Sequence, residues 1–244
     1  KFRADAATAT TGLVNGDTIA DVVESTNATR MTNAGTAGLK TQITNMRLAG
    51  NRKASNYNIT YVDGGFAVTQ RDLYITAGDK SRTYGDGNET AQYVNGTSRI
   101  NVRAADATTG LVNGDAISSI TETIDPLATV TANAGTAGLW TKASAAQFSH
   151  GTDANYNIHY TDGHFNITKR ALTLVAGDKS RIYGTANATA GYVNGTGLFR
   201  VKAGTNLVNG DAISTVTETI DPRATVTTDA GTAGLKTQIA NAVF

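Results

Sequence analysis

Three histidines, His150, His159 and His164, are the side chains best suited to move a proton near neutral pH. His159 and His164 flank Thr161-Asp162-Gly163, and a hairpin there would set them side by side as a weak metal contact or as a solvated pair on a strand face. The acidic residues offer calcium chemistry instead. Asp17, Asp115 and Asp211 each follow an Asn-Gly pair, and Glu24, Glu122 and Glu218 stand seven residues beyond them. That recurrence makes the three aspartates calcium candidates; a turn-closing aspartate followed by an exposed strand glutamate accounts for the same spacing. Asp86-Gly87-Asn88-Glu89 is the nearest approach to an acidic calcium loop. For a glycan the candidate contact is Trp140, the single tryptophan. No nucleophile elbow, phosphate loop, HExxH pair or dinucleotide fingerprint is present, so the expectation is a protein without catalytic residues or a resident cofactor.

These residues sit on a chain that repeats itself. Leu-Val-Asn-Gly-Asp occurs at Leu13–Asp17, Leu111–Asp115 and Leu207–Asp211, offsets of 98 and 96 residues. Ala-Gly-Thr-Ala-Gly-Leu occurs at Ala34–Leu39, Ala134–Leu139 and Ala230–Leu235, offsets of 100 and 96. Asn56–Ile59, Ala77–Arg82 and Tyr93–Thr97 each return 99 residues later. The histidines fall outside this pattern, since Asn51, Thr60 and Gly65 hold their matching places, as Lys40 and Lys236 do for Trp140. Tyr57, Tyr84, Tyr156 and Tyr183 fall inside it and are expected to be core or corner tyrosines with bonded hydroxyls.

A period near 99 is too long for a coil of a β-helix and suits a small sandwich with its own core. Extended runs are expected at Leu73–Ala77, Ala91–Val94, Arg99–Arg103, Ile117–Thr123, Ala128–Thr131, Leu139–Ala143, Ile158–Tyr160 and Phe165–Thr168. Left-handed turns are expected at Asn95-Gly96, Asn113-Gly114 and Asp162-Gly163. No helix-length apolar period appears. The fold class is therefore all-β: tandem immunoglobulin-like sandwiches of 96–100 residues forming an extended rod.

The joints between repeats carry the strongest mechanical signal. Apolar residues occupy even positions up to Val68 and odd positions from Leu73; Phe165 and Ile167 are odd, Leu172 and Leu174 even. Alternate strand residues face opposite sides, so the buried face changes near Gln70-Arg71 and Lys169-Arg170 across a crossover of two to four residues. So short a link leaves little freedom, unlike a Gly/Ser linker. The resulting division is residues 1–71 (a partial repeat lacking its opening strands), 72–170 (a complete repeat) and 171–244 (a partial repeat lacking its closing strands). Exposed edges at both ends are expected to allow self-association. A second phase, with one half-unit at 1–48, 98–148 and 197–244, fits the same motifs.

Composition narrows the partners. Forty threonines, 26 glycines and two prolines describe a folded, β-leaning chain, and a net charge of +1 gives no basic surface for nucleic acid. Without cysteine there is neither a disulfide framework nor a thiolate metal site. No stretch approaches the roughly 20 apolar residues of a membrane span, and Lys1 begins without a signal peptide, as in an internal fragment or mature product. Thr-x-Thr runs at Thr129–Thr131 and Thr225–Thr227 lack the short regular spacing of an ice-binding lattice. Asn-x-Ser/Thr sequons, Asn58, Asn95, Asn166 and Asn194 among them, matter only where a glycosylating enzyme is present.

The order of motifs resembles the MBG (mostly-β, glycine-rich) repeats, YGX type, of large bacterial exoproteins such as filamentous-haemagglutinin-like and two-partner-secretion adhesins. It rests on Ala77–Asp86 and Ala176–Thr185, the Leu-Val-Asn-Gly-Asp and Ala-Gly-Thr-Ala-Gly-Leu strings, and Asn56–Arg71 with Asn155–Arg170. The chain departs from the family where a proline often follows the Tyr-Gly, since Asn88-Glu89 and Asn187-Ala188 stand there. The resemblance implies an immunoglobulin-like spacer in an extracellular bacterial surface fibre active in adhesion or biofilm formation, with neighbouring repeats as partners and no catalytic residue. A sandwich that itself binds exopolysaccharide or host glycan is the alternative.

Overall fold

The computed structural model describes residues 2–93, 100–193 and 197–244. Its strands, in chain order, open with β1 (Ile19–Thr26), β2 (Lys40–Leu48) and β3 (Gly64–Gly65). The central repeat holds β4 (Arg71–Ala77), β5 (Lys80–Thr83), β6 (Gln92–Tyr93), β7 (Ile100–Val102), β8 (Ala116–Ile124), β9 (Trp140–His150), β10 (Tyr156–Thr161) and β11 (Gly163–Thr168). The last segment holds β12 (Leu174–Ala176), β13 (Lys179–Ser180), β14 (Gly191–Tyr192), β15 (Phe199–Val201), β16 (Thr215–Ile220) and β17 (Thr237–Val243). Among the described residues, helix is confined to four three-residue 3-10 turns, two of which begin at Asn88 and Asn187. The all-β class is what threonine content, glycine punctuation and alternating burial dictate.

Two compact units divide the chain. The first comprises Lys1–Ala77, Ser98–Thr123 and Lys142–Asp162. It contains the antiparallel sheet β1-β2-β3 and the sheet β10-β4-β7, in which β10 runs parallel to β4 and β7 antiparallel. Leu73, Ile75 and Ala77 alternate inward along β4 and pack with Ala143, Ala146 and Tyr156. Burying Leu73 and Ile75 contributes roughly 1.5–3 kcal/mol each.

The second unit comprises Gly78–Thr97, Ile124–Thr141 and Gly163–Phe244. Here β11 lies between β5, its parallel neighbour, and the first two residues of β9, which it meets antiparallel. Phe165 and Ile167 of β11 are its core, packed on Ala128 and Leu139. Strand pairs β12-β15, β13-β14 and β16-β17 complete the unit.

Several local expectations are corrected. Ala128–Thr131 is not a strand: Ala128 N–H closes a turn on Asp125 O at 2.9 Å and Ala132 N–H one on Thr129 O at 2.9 Å. Its carbonyls are drawn off by side chains instead, Asn88 Nδ2 donating to Ala128 O at 2.9 Å and Arg82 to Thr129 O. Asp162-Gly163 is no left-handed hairpin turn, because Gly163 starts β11 without a positive φ and β10 and β11 belong to different sheets. Asn113-Gly114 is left-handed as expected, with φ of 58° and 82°. Lys80–Thr83 is a strand that the sequence did not announce. The Asn95-Gly96 turn, Val94, Arg99 and the sequons at Asn95 and Asn194 lie outside the described residues.

Candidate functional site at the repeat joints

Each compact unit contains one of the two places where a repeat passes into the next, and the same bond recurs at both. In the first joint the Asn113 amide accepts from Arg30 Nε at 3.1 Å and donates to Arg30 O at 3.2 Å. In the second, Asn209 Nδ2 donates to Val130 O at 3.0 Å. Arg30 and Val130 hold matching places after the Ala-Thr pair of successive repeats. Asn113 and Asn209 project their amides from left-handed backbone, φ 58° and 56°, a conformation in which asparagine is favoured among residues with a side chain. A groove of about 420 Å³ at the first joint includes Met31, His150 and Asn155, and one of about 410 Å³ at the second includes Asn133, Lys169 and Val208.

Further bonds differ between the joints. Arg71 reaches the loop before Leu111, donating Nε to Gly110 O at 3.0 Å, Nη1 to Ala107 O at 3.2 Å and Nη2 to Thr109 O at 2.8 Å and to Asp106 O. Asp106 shapes that loop by accepting from the N–H groups of Thr108 and Thr109 and the Thr109 hydroxyl, which hold its carboxyl down at about 2. The last repeat has the shorter Lys202-Ala-Gly-Thr-Asn there. Arg170, the counterpart of Arg71, donates to Tyr84 O at 2.7 Å and to Asp86. Gly85, at φ 83°, allows the closest packing of the second joint: a Cβ there would lie 2.4 Å from Val208 Cγ2.

The aspartates singled out for calcium are engaged by tyrosines. Asp17 accepts from Tyr57 OH at 2.6 Å and pairs with Arg52 Nε at 3.1 Å; Asp115 accepts from Tyr156 OH at 2.7 Å. Each hydroxyl also accepts from a backbone N–H, Val14 and Val112 respectively, at 3.2 Å, which is the corner bonding expected of these tyrosines. Burial first, then Asp115, pushes the Tyr156 hydroxyl upward. Asp211 accepts from Tyr84 OH at 3.3 Å. Glu218 pairs with Lys179 at 2.6 Å. Among the described residues no three His, Cys, Asp or Glu side chains form a metal-sized group.

The histidines do not meet across a hairpin. His159 Nε2 sits 2.8 Å from Asp72 Oδ1 with its ring stacked on Tyr74 at 4.8 Å, while the His164 N–H donates to Asp79 at 2.7 Å. Trp140 is half-buried at the start of β9, in register with His164, and its carbonyl accepts from Asp125 N–H at 3.0 Å.

Sequence reasoning missed the arginines. Arg82 is buried, donates Nε to Asn88 Oδ1 at 2.8 Å, and Asn88 ties to Ala128 O; burial lowers the guanidinium's affinity for its proton. Arg181 and Asn187 repeat the arrangement at 2.8 Å, with Asn187 donating to Ala224 O at 2.6 Å. This accounts for Asn88 and Asn187 after the Tyr-Gly: each orients an arginine, buried in the case of Arg82 and half-buried in the case of Arg181. The recurrence of Ala-Gly-Asp-Lys-Ser-Arg was the available signal.

The arrangement defines an all-β repeat protein in which an asparagine amide of each following repeat bonds a backbone carbonyl of the repeat before it. Residues 73–166 match the family model of the MBG domain (YGX type), and that stretch of the chain belongs to this family. The MBG domain is a structural repeat found in bacterial surface and secreted proteins and is not a known enzyme family. No curated protein matches the chain, and no solved structure does. Among the described residues no helix is long and apolar enough to cross a membrane.

Proposed function

We propose that these repeats are a spacer of an extracellular bacterial adhesin, holding a distal binding region away from the cell during adhesion or biofilm formation. The carrying observation is the recurrent joint, where Asn113 bonds Arg30 O and Asn209 bonds Val130 O in the same way. A module evolved to bind one ligand has no need to bond its neighbours alike, whereas a spacer's usefulness lies in that regularity. The proposed division remains 1–71, 72–170 and 171–244, with immunoglobulin-like sandwiches in an extended rod. Small-angle scattering tests it: an elongated, stiff particle is expected, and a compact globule or freely hinged pair would refute the spacer.

Glycan recognition through Trp140 is the competing reading, favoured by its being the one tryptophan and only half-buried. On a glycan array the spacer predicts silence for the wild type and for Trp140→Ala. Binding lost on substitution would replace the spacer reading with a lectin-like one.

A further inference from the structure

We infer that Asn113 and Asn209 are modification sites at which the chain ages without an enzyme, losing the side-chain amide as ammonia, and that the joint bonds set the order: Asn209 first, Asn113 later. The inference draws on the geometry of the joints and stands apart from the spacer reading. Asparagine is among the chemically labile residues. Both of these are exposed, so water has access, and each is followed by glycine. A Cβ on Gly114 or Gly210 would meet nothing within 4 Å, so nothing crowds the backbone nitrogen that has to react.

Water is the sole co-reactant. The backbone nitrogen of Gly114 gives up its proton and bonds to Cγ of Asn113; the Cγ–Nδ2 bond breaks, and Nδ2 takes that proton and leaves as ammonia. One water then opens the five-membered imide at either carbonyl, leaving aspartate or isoaspartate. Gly210 and Asn209 react in the same way. Their intrinsic rates are equal, because Leu111–Asp115 and Leu207–Asp211 are the same five residues. The backbone matches too, with φ of 58° and 56° at the asparagines and 82° and 80° at the glycines. A difference in rate therefore comes from what holds the amide.

Ring closure swings Cγ onto the glycine nitrogen and expels Nδ2, and the joint bonds resist both. Asn113 is held through both ends of its amide, Oδ1 accepting from Arg30 Nε at 3.1 Å and Nδ2 donating to Arg30 O at 3.2 Å. Asn209 is held through Nδ2, at 3.0 Å from Val130 O, and valine has no side-chain donor to offer Oδ1. Where opening and closing are fast, reaction follows the opened fraction. One further hydrogen bond thus slows Asn113 about tenfold relative to Asn209. The products differ as well. A carboxylate at 113 still accepts from the Arg30 guanidinium, whereas one at 209 faces Val130 O, two acceptors with no proton between them.

The test incubates the whole chain in mildly alkaline buffer beside a capped Leu-Val-Asn-Gly-Asp peptide. Peptide mass mapping follows each site, and isoaspartyl methylation gives an independent readout. The free peptide is expected to convert fastest, Asn209 more slowly and Asn113 slowest. Arg30→Val alters an exposed side chain and copies the second joint. It should bring Asn113 to the rate of Asn209 and leave Asn209 unchanged. Asn209→Asp, which carries the product, should quicken amide exchange in the turn at 128–132. Equal rates at the two sites would overturn the inference. So would an Arg30→Val chain in which Asn113 is unchanged or slower, since the guanidinium is then no clamp. A folded chain in which neither site converts while the peptide does would remove both as modification sites.

Discussion

Replacing Gly85 by alanine separates the joint from the turn that holds it, with Gly184 as the same turn where residues 1–244 place nothing beside it. Both glycines are left-handed, at φ 83° and 81°. An alanine costs about 1–2 kcal/mol in that conformation at either site. Only at Gly85 does the new methyl meet the next repeat, 2.4 Å from Val208 Cγ2 and 2.9 Å from its Cβ; beside Gly184 nothing lies within 4 Å. Carbon atoms pack at about 3.5–4.0 Å, so Val208 must retreat by about 1 Å. Overpacking of that kind costs about 1–3 kcal/mol beyond the backbone strain. Urea unfolding of the two variants should therefore differ by that amount, with Gly85→Ala the weaker and amide exchange at Val208 and Asn209 accelerated. Adding Val208→Ala should recover most of the difference, since contacting residues do not behave additively. Equal losses for the two alanine variants, or no recovery with Val208→Ala, would refute the claim that Gly85 serves the joint.

Arg71→Ala should cost about 1.5–3 kcal/mol by leaving carbonyls of the 106–110 loop without their donor, read as faster amide exchange there; Arg170→Ala should leave that loop unchanged. Asp106 is held at about 2 in the folded chain against 3.8 ordinarily, so its ordering of the loop is complete above about pH 4 and lost as the pH falls toward 2. An NMR titration of Asp106 with a midpoint at the ordinary value would contradict that bonding. Chelator should leave the melting temperature unchanged, since Asp17 is committed to Tyr57 and Arg52; a rise in millimolar calcium would restore the calcium reading.

The fold class and most strands were legible because burial alternates along Leu73–Ala77 and Phe165–Thr168 as strongly as the residue types do. The turn at Ala128–Thr131 was not, because β-propensity there is overridden by two side chains from elsewhere that claim its carbonyls. Lys80–Thr83 was invisible for the converse reason: its partner β11 supplies the apolar side chains, and the strand itself reads as charged. Of the candidate site residues, Asp17 and Asp115 receive tyrosine hydroxyls from 40 and 41 residues further along, and Asp211 receives Tyr84 from 127 residues back, pairings that no local pattern encodes. Arg71 and Arg170 illustrate the limit most clearly, for matching places in the repeat send the same side chain to different acceptors.

The joint bonds draw on the two repeats that flank each crossing and on no third. Duplication or loss of one period in the gene would therefore recreate the same Asn-to-carbonyl bond at the new seam, leaving every other seam untouched. Length in such a protein is a heritable variable that recombination can tune without any new contact having to be invented.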